Sequence, residues 1–378
     1  MRNNKIVVVQ NRPTQFDVPF YSAAAGKEFE ILVFYTEVAP ADSTAIDREI
    51  SIAPQWDHLK ALVYPARFER SPYRLWSLIK KIAPDHVILC GWYPRAHAVL
   101  ALLLRLSGFS IGVRSDNTLE NTDLSGLRGW VKRILMGMLL CVYHTWHPVG
   151  TLARRYLERL SVCKRPVYFY SYAVDVVWFA RLAGEVIADR RSRRAGLGLG
   201  EDDFVVVGVM KWTDREDPLT LVDAVMQAAE AVPNIRLVLV GDGPLRPEVE
   251  ARLSNRPGLA VTPGYAKYSE LPAYYAVSDL FVHPAISEPY GVSVQEAMAC
   301  GLPAVVSDKV GSAVDFIEPG VNGDIFPVGD VAALTDLLVD YAARRDDPSI
   351  IESARRKAAE WSYTRIFSEI HRCLNEKR

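Results

Sequence analysis

The sequence predicts an α/β protein made of two doubly wound units. Three observations carry this expectation. Short apolar runs alternate with longer amphipathic ones, as the strands and crossover helices of a parallel sheet do. The alternation starts twice, at Lys5 and again at Asp203, with a stretch rich in arginine and glycine between the two starts. The length, 378 residues, is too great for one ordinary core and comfortable for two.

In the first unit KIVVVQ (5–10), FEILVFYT (29–36) and DHVILCG (85–91) read as buried strands. SPYRLWSLIKKI (71–82) and RAHAVLALLLRLSG (95–108) carry helical periodicity, and SIGVRSD (110–116) reads as a fourth strand. The longest apolar stretch, Ile134 to Trp146, follows Lys132 and Arg133. It falls short of the roughly 20 residues that span a bilayer. It reads as a buried helix running into a strand, or as an element lying near a membrane surface. The second unit begins with the strand DFVVVGVM (203–210) and the helix PLTLVDAVMQAAEAV (218–232). Strands follow at 235–241, 259–265, 279–285 and 302–308. The expected organisation is therefore a first Rossmann-like domain over 1–174, a second over 175–360, and a last helix, 361–378, crossing back to the first. RRSRR, Arg190 to Arg194, reads as a solvated helix face rather than a binding patch. Two such halves facing one another would leave a cleft at the carboxyl ends of their strands, where open α/β sheets bind ligands.

Composition narrows the function. The net charge of −1 gives no global attraction to nucleic acid or membrane. Five cysteines, an odd number without C-x-x-C spacing, argue against a disulfide framework and a zinc site and suit a reducing cytoplasm. MRNNKIVVVQNRP reads as a first strand rather than a signal peptide.

The chemistry concentrates in SEPYGVSVQEAMACGLPAVVSD, Ser287 to Asp308. Glu288 follows an apolar strand, in a loop stiffened by Pro289, and a helix is expected from about Val292 to the cap at Gly301. Tyr290, Gly291, Val292 and Ser293 would then offer N–H groups at a helix N-terminus, which suits an anion. Glu296 falls on the first turns of that helix. A carboxylate beside an anion site is tolerated when it binds hydroxyls, because its two oxygens accept from a diol. The pattern suits a ligand with hydroxyls at both ends and phosphates between: Glu296 for a ribose, Glu288 for a hexose. Two surface charges would give the same spacing.

This segment closely resembles the E-x7-E region of retaining glycosyltransferases of family 4, which have the GT-B fold. LVLVGDGPLR (237–246), VTPGYAKYSELPAYYAVSDLFVHPA and VGSAVDFIEPGVNGDIFPVGD (310–330) resemble further segments of the same family in the same order. The resemblance implies a nucleoside-diphosphate-sugar donor and retention at the anomeric carbon, with no metal or other cofactor; no D-x-D triplet stands in the chain. It also implies two basic residues for the diphosphate. Lys211 matches the first and Arg215 is the best available second, unless Arg215 is a loop charge paired with Asp214 or Asp217. Tyr265 and Ala266 match the stretch whose backbone meets the base. Gly241 and Gly243 either admit the nucleotide or form a turn.

The first domain departs from the family where relatives carry a Gly-Gly turn; QNRPTQFDVPF (10–20) stands there. Asn11, Arg12, Gln15 and Asp17 line the acceptor side or form a structural turn. Arg114, Asp116 and Asn117 stand where relatives place a histidine. They would hold the hexose or orient the acceptor hydroxyl, with Asp116 as a base if it reaches that hydroxyl; the alternative for Asp116 is a helix N-cap. His97 reads as packing. The expected partners are the donor and a glycan or lipid-linked saccharide acceptor, with peripheral membrane contact as an option and no nucleic acid. The expected place is the cytoplasm, the inner membrane face included. A sugar-nucleotide epimerase of the same architecture and a non-catalytic donor-binding subunit are the rival readings.

Overall fold

The structure is a computed structural model that describes residues 4–25, 27, 29–38, 63–172, 174–345 and 347–376. The chain divides into two compact units, one holding the described residues before Val174 and those from Tyr363 on, the other holding Val174–Ser362.

The first unit contains β1 (Asn4–Gln10), β2 (Phe29–Tyr35), β3 (Ala66–Phe68), β4 (His86–Cys90), β5 (Ile111–Ser115) and β6 (Thr145–Pro148). They form one parallel sheet in the order β3-β2-β1-β4-β5-β6. The second contains β7 (Phe204–Val209), β8 (Ile235–Val240), β9 (Ala260–Gly264), β10 (Leu280–His283), β11 (Ala304–Ser307) and β12 (Gly323–Phe326). Their order is β12-β11-β10-β7-β8-β9, again all parallel. Renumbered within its unit, the second sheet has the same order as the first. It is the doubly wound order, which reverses direction between β1 and β4 and between β7 and β10.

The central strands are largely apolar because both their faces are covered. Along β1 the side chains alternate. Val7 and Val9 pack with Leu100 and Leu104 on one face of the sheet. Ile6 and Val8 pack with Phe20, Ile366 and Ile370 on the other. The last helix, Tyr363–Asn375, thus completes the core of the first unit, with Phe367 stacked 5.0 Å from Phe20. In the second unit Val206, Leu237 and Leu239 meet the helices Pro218–Ala231 and Val331–Ala343.

Local signals explain several boundaries. Ser71 accepts a hydrogen bond from the N–H of Arg74 and Pro72 opens the helix Pro72–Ile82. Asp217 caps the helix Pro218–Ala231 through the N–H and hydroxyl of Thr220. Gly301, at φ 97°, ends the helix Val292–Ala299 as expected, with the N–H of Gly301 on Met298 and that of Leu302 on Ala297.

Three expectations need correction. The first sheet has six strands; the four runs and the strand expected at the end of the apolar stretch from Ile134 account for five, and the sixth, β3, has three half-exposed or exposed residues and no apolar run to announce it. RRSRR is a solvated face only in part: Arg191, Ser192 and Arg193 are exposed, but Arg194 is buried, pairs with Asp279 at 2.8 Å and donates to the carbonyls of Val277 and Asp203. The apolar run from Ile134 does pass from a helix, Gly126–Leu140, into β6, but Ile134, Leu135 and Met138 are exposed rather than buried.

Candidate active site

In the second unit the loops that leave β7 and β10 meet at the reversal point of the sheet. The loop after β7 carries Lys211, Arg215 and Glu216; the loop after β10 carries Ser287, Glu288 and Tyr290. The backbone joins them: the N–H of Ile286 donates to the carbonyl of Arg215 at 2.8 Å. Arg215 joins them again through its side chain. Its Nη1 donates to Oε2 of Glu288 at 2.9 Å and to the carbonyl of Ser287 at 3.1 Å, and its Nη2 donates to Oε1 of Glu216 at 2.6 Å. Glu288 and Glu216 are thus acidic partners of Arg215 beyond the two neighbours, Asp214 and Asp217, that the sequence suggests. Glu216 also accepts the backbone N–H of Lys211 at 2.7 Å. Burial pushes the Glu216 carboxyl up to about 7, with Arg215 opposing and the charge of Glu288 adding to the rise.

A third loop fixes Glu288 from the other side. Its N–H donates to Lys309 and its carbonyl accepts from Gly311 at 2.8 Å. Gly311 leaves no space for a side chain, since a Cβ there would lie 1.9 Å from the carbonyl oxygen of Pro289. Gly291, at φ 89°, caps the helix Val292–Ala299. The N–H groups of Val292 and Ser293 fall in its first turn, where no intrahelical acceptor exists. The N–H of Tyr290 differs from the expectation because it is already hydrogen-bonded to Oε1 of Glu288 at 3.3 Å.

Glu296 lies on the same helix, buried. Its Oε2 accepts from the hydroxyl of Tyr275 at 3.0 Å, and Tyr268 is a second hydrogen-bond partner. Burial pushes its carboxyl to about 7 against the pull of both tyrosines. Tyr265 and Ala266 follow β9 in a half-buried turn. Gly241 and Gly243 are accounted for by the chain itself. A Cβ at Gly241 (φ 141°) would lie 1.8 Å from the Met210 carbonyl oxygen, and one at Gly243 would lie 2.4 Å from that of Trp212. The turn reading is the one this geometry explains.

The sequence reading overlooked Glu216 and His283. Glu216 was hidden among the charges of TDRED. His283 is the last residue of β10, buried, with neither ring nitrogen hydrogen-bonded. Burial lowers its pKa, while Glu288 pulls it up and Arg215 pulls it down. A histidine in the otherwise apolar LFVHPA, five residues before Glu288, was the available signal.

The first unit has its own hollow, of about 360 Å³, at the carboxyl ends of β1, β4 and β5. It collects six of the residues singled out in this half, Asn11, Arg12, Asp17, Arg114, Asp116 and Asn117, with Trp92 and Tyr172. Their roles differ. Arg114 is buried, pairs with Asp17 at 2.7 Å, and donates to the carbonyls of Tyr170 and Ser171. Every nitrogen of its guanidinium is engaged inside the unit, so it holds the floor together rather than meeting a ligand. Asp17 is its counter-ion and lines the same hollow. Asp116 accepts from the Tyr172 hydroxyl at 2.9 Å and caps no helix, since the next one begins at Gly126. Asn117 bonds to Ser115, Arg12 is exposed on the rim, and Gln15 is half-buried outside the lining. His97 is buried, bonded to Thr36 at 3.1 Å, and held neutral by burial, which lowers its pKa to about 4.

Among the described residues His86, His147 and Cys373 form a group of donor atoms within 4.8 Å of one another. Thr145 and Ser110 hydrogen-bond the two imidazoles, so the group is accounted for as a buried polar network of the first unit.

Two matching doubly wound sheets define the class of protein, and comparison with solved structures makes it specific: the chain has the GT-B fold. HepE of Anabaena, solved in complex with UDP, is 17% identical and superposes with a TM-score of 0.76 over 98% of this chain and 100% of its own. A glycosyltransferase of Rickettsia africae is 12% identical, with a TM-score of 0.78 over 99% of both chains. Residues 201–343 match the family described as Glycosyl transferases group 1. Among curated relatives, alpha-monoglucosyldiacylglycerol synthase of Acholeplasma laidlawii is 28% identical over 165 residues, 43% of this chain and 40% of its own. D-inositol 3-phosphate glycosyltransferase of Mycobacterium bovis is 31% identical over 185 residues, 46% of this chain and 38% of its own. The matched stretch thus spans less than half the length of these relatives.

Proposed function

We propose that the protein is a retaining glycosyltransferase that moves a sugar from a nucleoside-diphosphate sugar to a glycan or lipid-linked saccharide. The observation that carries the reading is the Arg215–Glu288 pair at the reversal point of the second sheet, beside the N-terminus of the helix Val292–Ala299. It puts a hydroxyl acceptor, a fixed cation and helix N–H groups within one loop cluster. The match of residues 201–343 to a glycosyltransferase family and the UDP and UDP-glucose in the HepE structures support it.

Glu288 binds the hydroxyls of the transferred hexose and Glu296 the ribose diol. Lys211, Arg215 and the N–H groups of Val292 and Ser293 hold the diphosphate, and Tyr265 and Ala266 border the base. As the bond between the anomeric carbon and the diphosphate oxygen breaks, the electron pair leaves with the diphosphate. Fixed positive charge stabilises that developing anion. The acceptor oxygen bonds to the anomeric carbon on the same face and its proton passes to a phosphate oxygen. Asp116, Asn117 and Arg12 orient the acceptor. This chemistry needs no metal.

Thermal melts with UDP-, GDP-, ADP- and dTDP-sugars test the reading, because a bound donor raises apparent stability by mass action. At least one donor should raise the melting temperature of the wild type and be hydrolysed slowly without acceptor. Glu288→Gln should keep the fold and lose turnover. A sugar isomer formed without acceptor would establish the epimerase instead, and wild-type turnover in Glu288→Gln would remove that residue from the site.

A further inference from the structure

The helix Gly126–Leu140 is turned inside out. A surface helix normally lays its apolar stripe on the core. Here Leu127, Trp130, Val131, Ile134, Leu135 and Met138 recur at three- and four-residue spacing and share one face, and that face is turned outward. Leu127 is 77% exposed, Trp130 59%, and Leu135 and Met138 61% each. The side turned inward is built on Gly129, Gly137 and Leu140. Side chains have no place at the two glycines: a Cβ at Gly129 would lie 2.0 Å from the carbonyl carbon of Leu124, and one at Gly137 would lie 2.7 Å from the carbonyl oxygen of Leu160. The helix therefore cannot roll to bury its stripe.

Charge says what covers it. The helix carries Arg128, Lys132 and Arg133 and no acidic residue; the chain has none between Asp123 and Glu158. At about 100° per residue, Arg128 and Lys132 border the apolar stripe on one side and Arg133 borders it on the other. Large apolar side chains with a tryptophan among them, flanked by cations, are the features of a helix lying in the plane of an anionic bilayer surface. A length of about 22 Å suits lying down rather than spanning, and no helix among the described residues is long and apolar enough to cross. Exposed Val162, beside Gly137, extends the patch.

We propose that this helix docks the protein on a membrane rich in anionic lipid, its stripe among the acyl chains and Arg128, Lys132 and Arg133 on the phosphates. The proposal is independent of the sugar-transfer reading, because vesicle binding needs neither donor nor acceptor.

The test is sedimentation of the full chain with phosphatidylcholine vesicles, with and without phosphatidylglycerol. The wild type should partition at least about tenfold more strongly onto the anionic vesicles, three cations each adding to the attraction. Trp130→Glu with Leu135→Glu should lower that partition at least about tenfold, with unchanged melting temperature, since both side chains are exposed. Lys132→Ser with Arg133→Ser should remove the preference for anionic lipid. Three results overturn the proposal: no sedimentation with anionic vesicles, binding that both variants retain, or a wild-type dimer that the first variant dissociates without any vesicle binding. The last result would mean that a second copy covers the stripe.

Discussion

Nη1 of Arg215 lies 2.9 Å from Oε2 of Glu288, across two loops that are 73 positions apart in sequence. The pair ties the carboxylate after β10 to the only arginine of the loop after β7. The same guanidinium reaches Glu216, so one cation serves two acids. The fork geometry is what allows this, because a planar guanidinium donates in two directions at once.

Arg215→Lys should therefore behave as a disruptive substitution. A lysine keeps the charge but cannot hold both carboxylates in one plane. Transfer at saturating donor should fall by about 10²-fold, and by about 10²–10³-fold in Arg215→Ala, the range for removal of one preorganised electrostatic group. Single-turnover assays check this, with a melting curve to show that the fold persists. Wild-type rates in Arg215→Lys would mean that the fork plays no part.

Stability should fall as pH rises through weakly acid values. Glu216 and Glu296 both titrate at about 7 in the folded chain, above the ordinary 4.5, because burial disfavours their charged forms. Below pH 4.5 folded and unfolded chains are both protonated and no stability is lost. Between 4.5 and 7 the folded chain binds more protons than the unfolded chain, so the slope of unfolding free energy against pH is negative. Each glutamate costs up to about 3 kcal/mol above that window. Glu296→Gln should remove about half of that slope, the share of one of the two glutamates, without lowering the melting temperature at pH 7.5. A slope unchanged in Glu296→Gln would reject the assignment.

Donor binding should also release protons near neutral pH. A diol that hydrogen-bonds to the Glu296 carboxylate favours its charged form and lowers its pKa. Calorimetry of the best donor in buffers of different ionisation enthalpy should show proton release at pH 7, and Glu296→Gln should reduce it. Identical proton release in the variant would place the ribose elsewhere.

The sheets were largely legible because β1, β4, β7, β8 and β11 are buried on both faces and so read as unbroken apolar runs. The helix Val292–Ala299 was legible from Gly291 and Gly301, one at each end, both needed at positive φ. The loops were read by residue type alone, and type does not say who pairs with whom. Arg114 and Arg12 looked alike in sequence; one is buried on Asp17 and the other is exposed. The exposed stripe of Gly126–Leu140 has the periodicity of a buried one. Only the backbone of Leu124 and Leu160 against its two glycines fixes which way it faces.

Gly311 gives a test of how tightly the Glu288 loop is held. Its N–H supports the Glu288 carbonyl, and its Cα approaches Pro289 too closely for a side chain. Gly311→Ala must push the 287–290 loop away, and a displacement of about 1 Å at a reacting group costs on the order of 10²-fold in rate. Activity should fall by that much. Gly320→Ala, at φ 74° in open space, should carry only the milder strain of its turn and keep the rate. Equal rates in Gly311→Ala and the wild type would mean that the loop is loose.

The hollow of the first unit separates structure from function at two neighbouring positions. Asp17→Asn leaves the Arg114 guanidinium buried without its counter-ion, and breaking a buried pair from one side costs about 3–5 kcal/mol. The two carbonyls that Arg114 also meets, from Tyr170 and Ser171, supply partial charge only and do not replace a carboxylate. Arg12 is exposed on the rim of the same hollow, so Arg12→Ala should change stability by less than about 0.5 kcal/mol. If Arg12 orients the acceptor, its loss should raise the acceptor KM and leave donor hydrolysis unaltered. Urea titration of both variants, with acceptor and donor kinetics on the second, checks the contrast. Equal stability losses in the two, or an unchanged acceptor KM in Arg12→Ala, would show that the hollow is a packing feature and not an acceptor site.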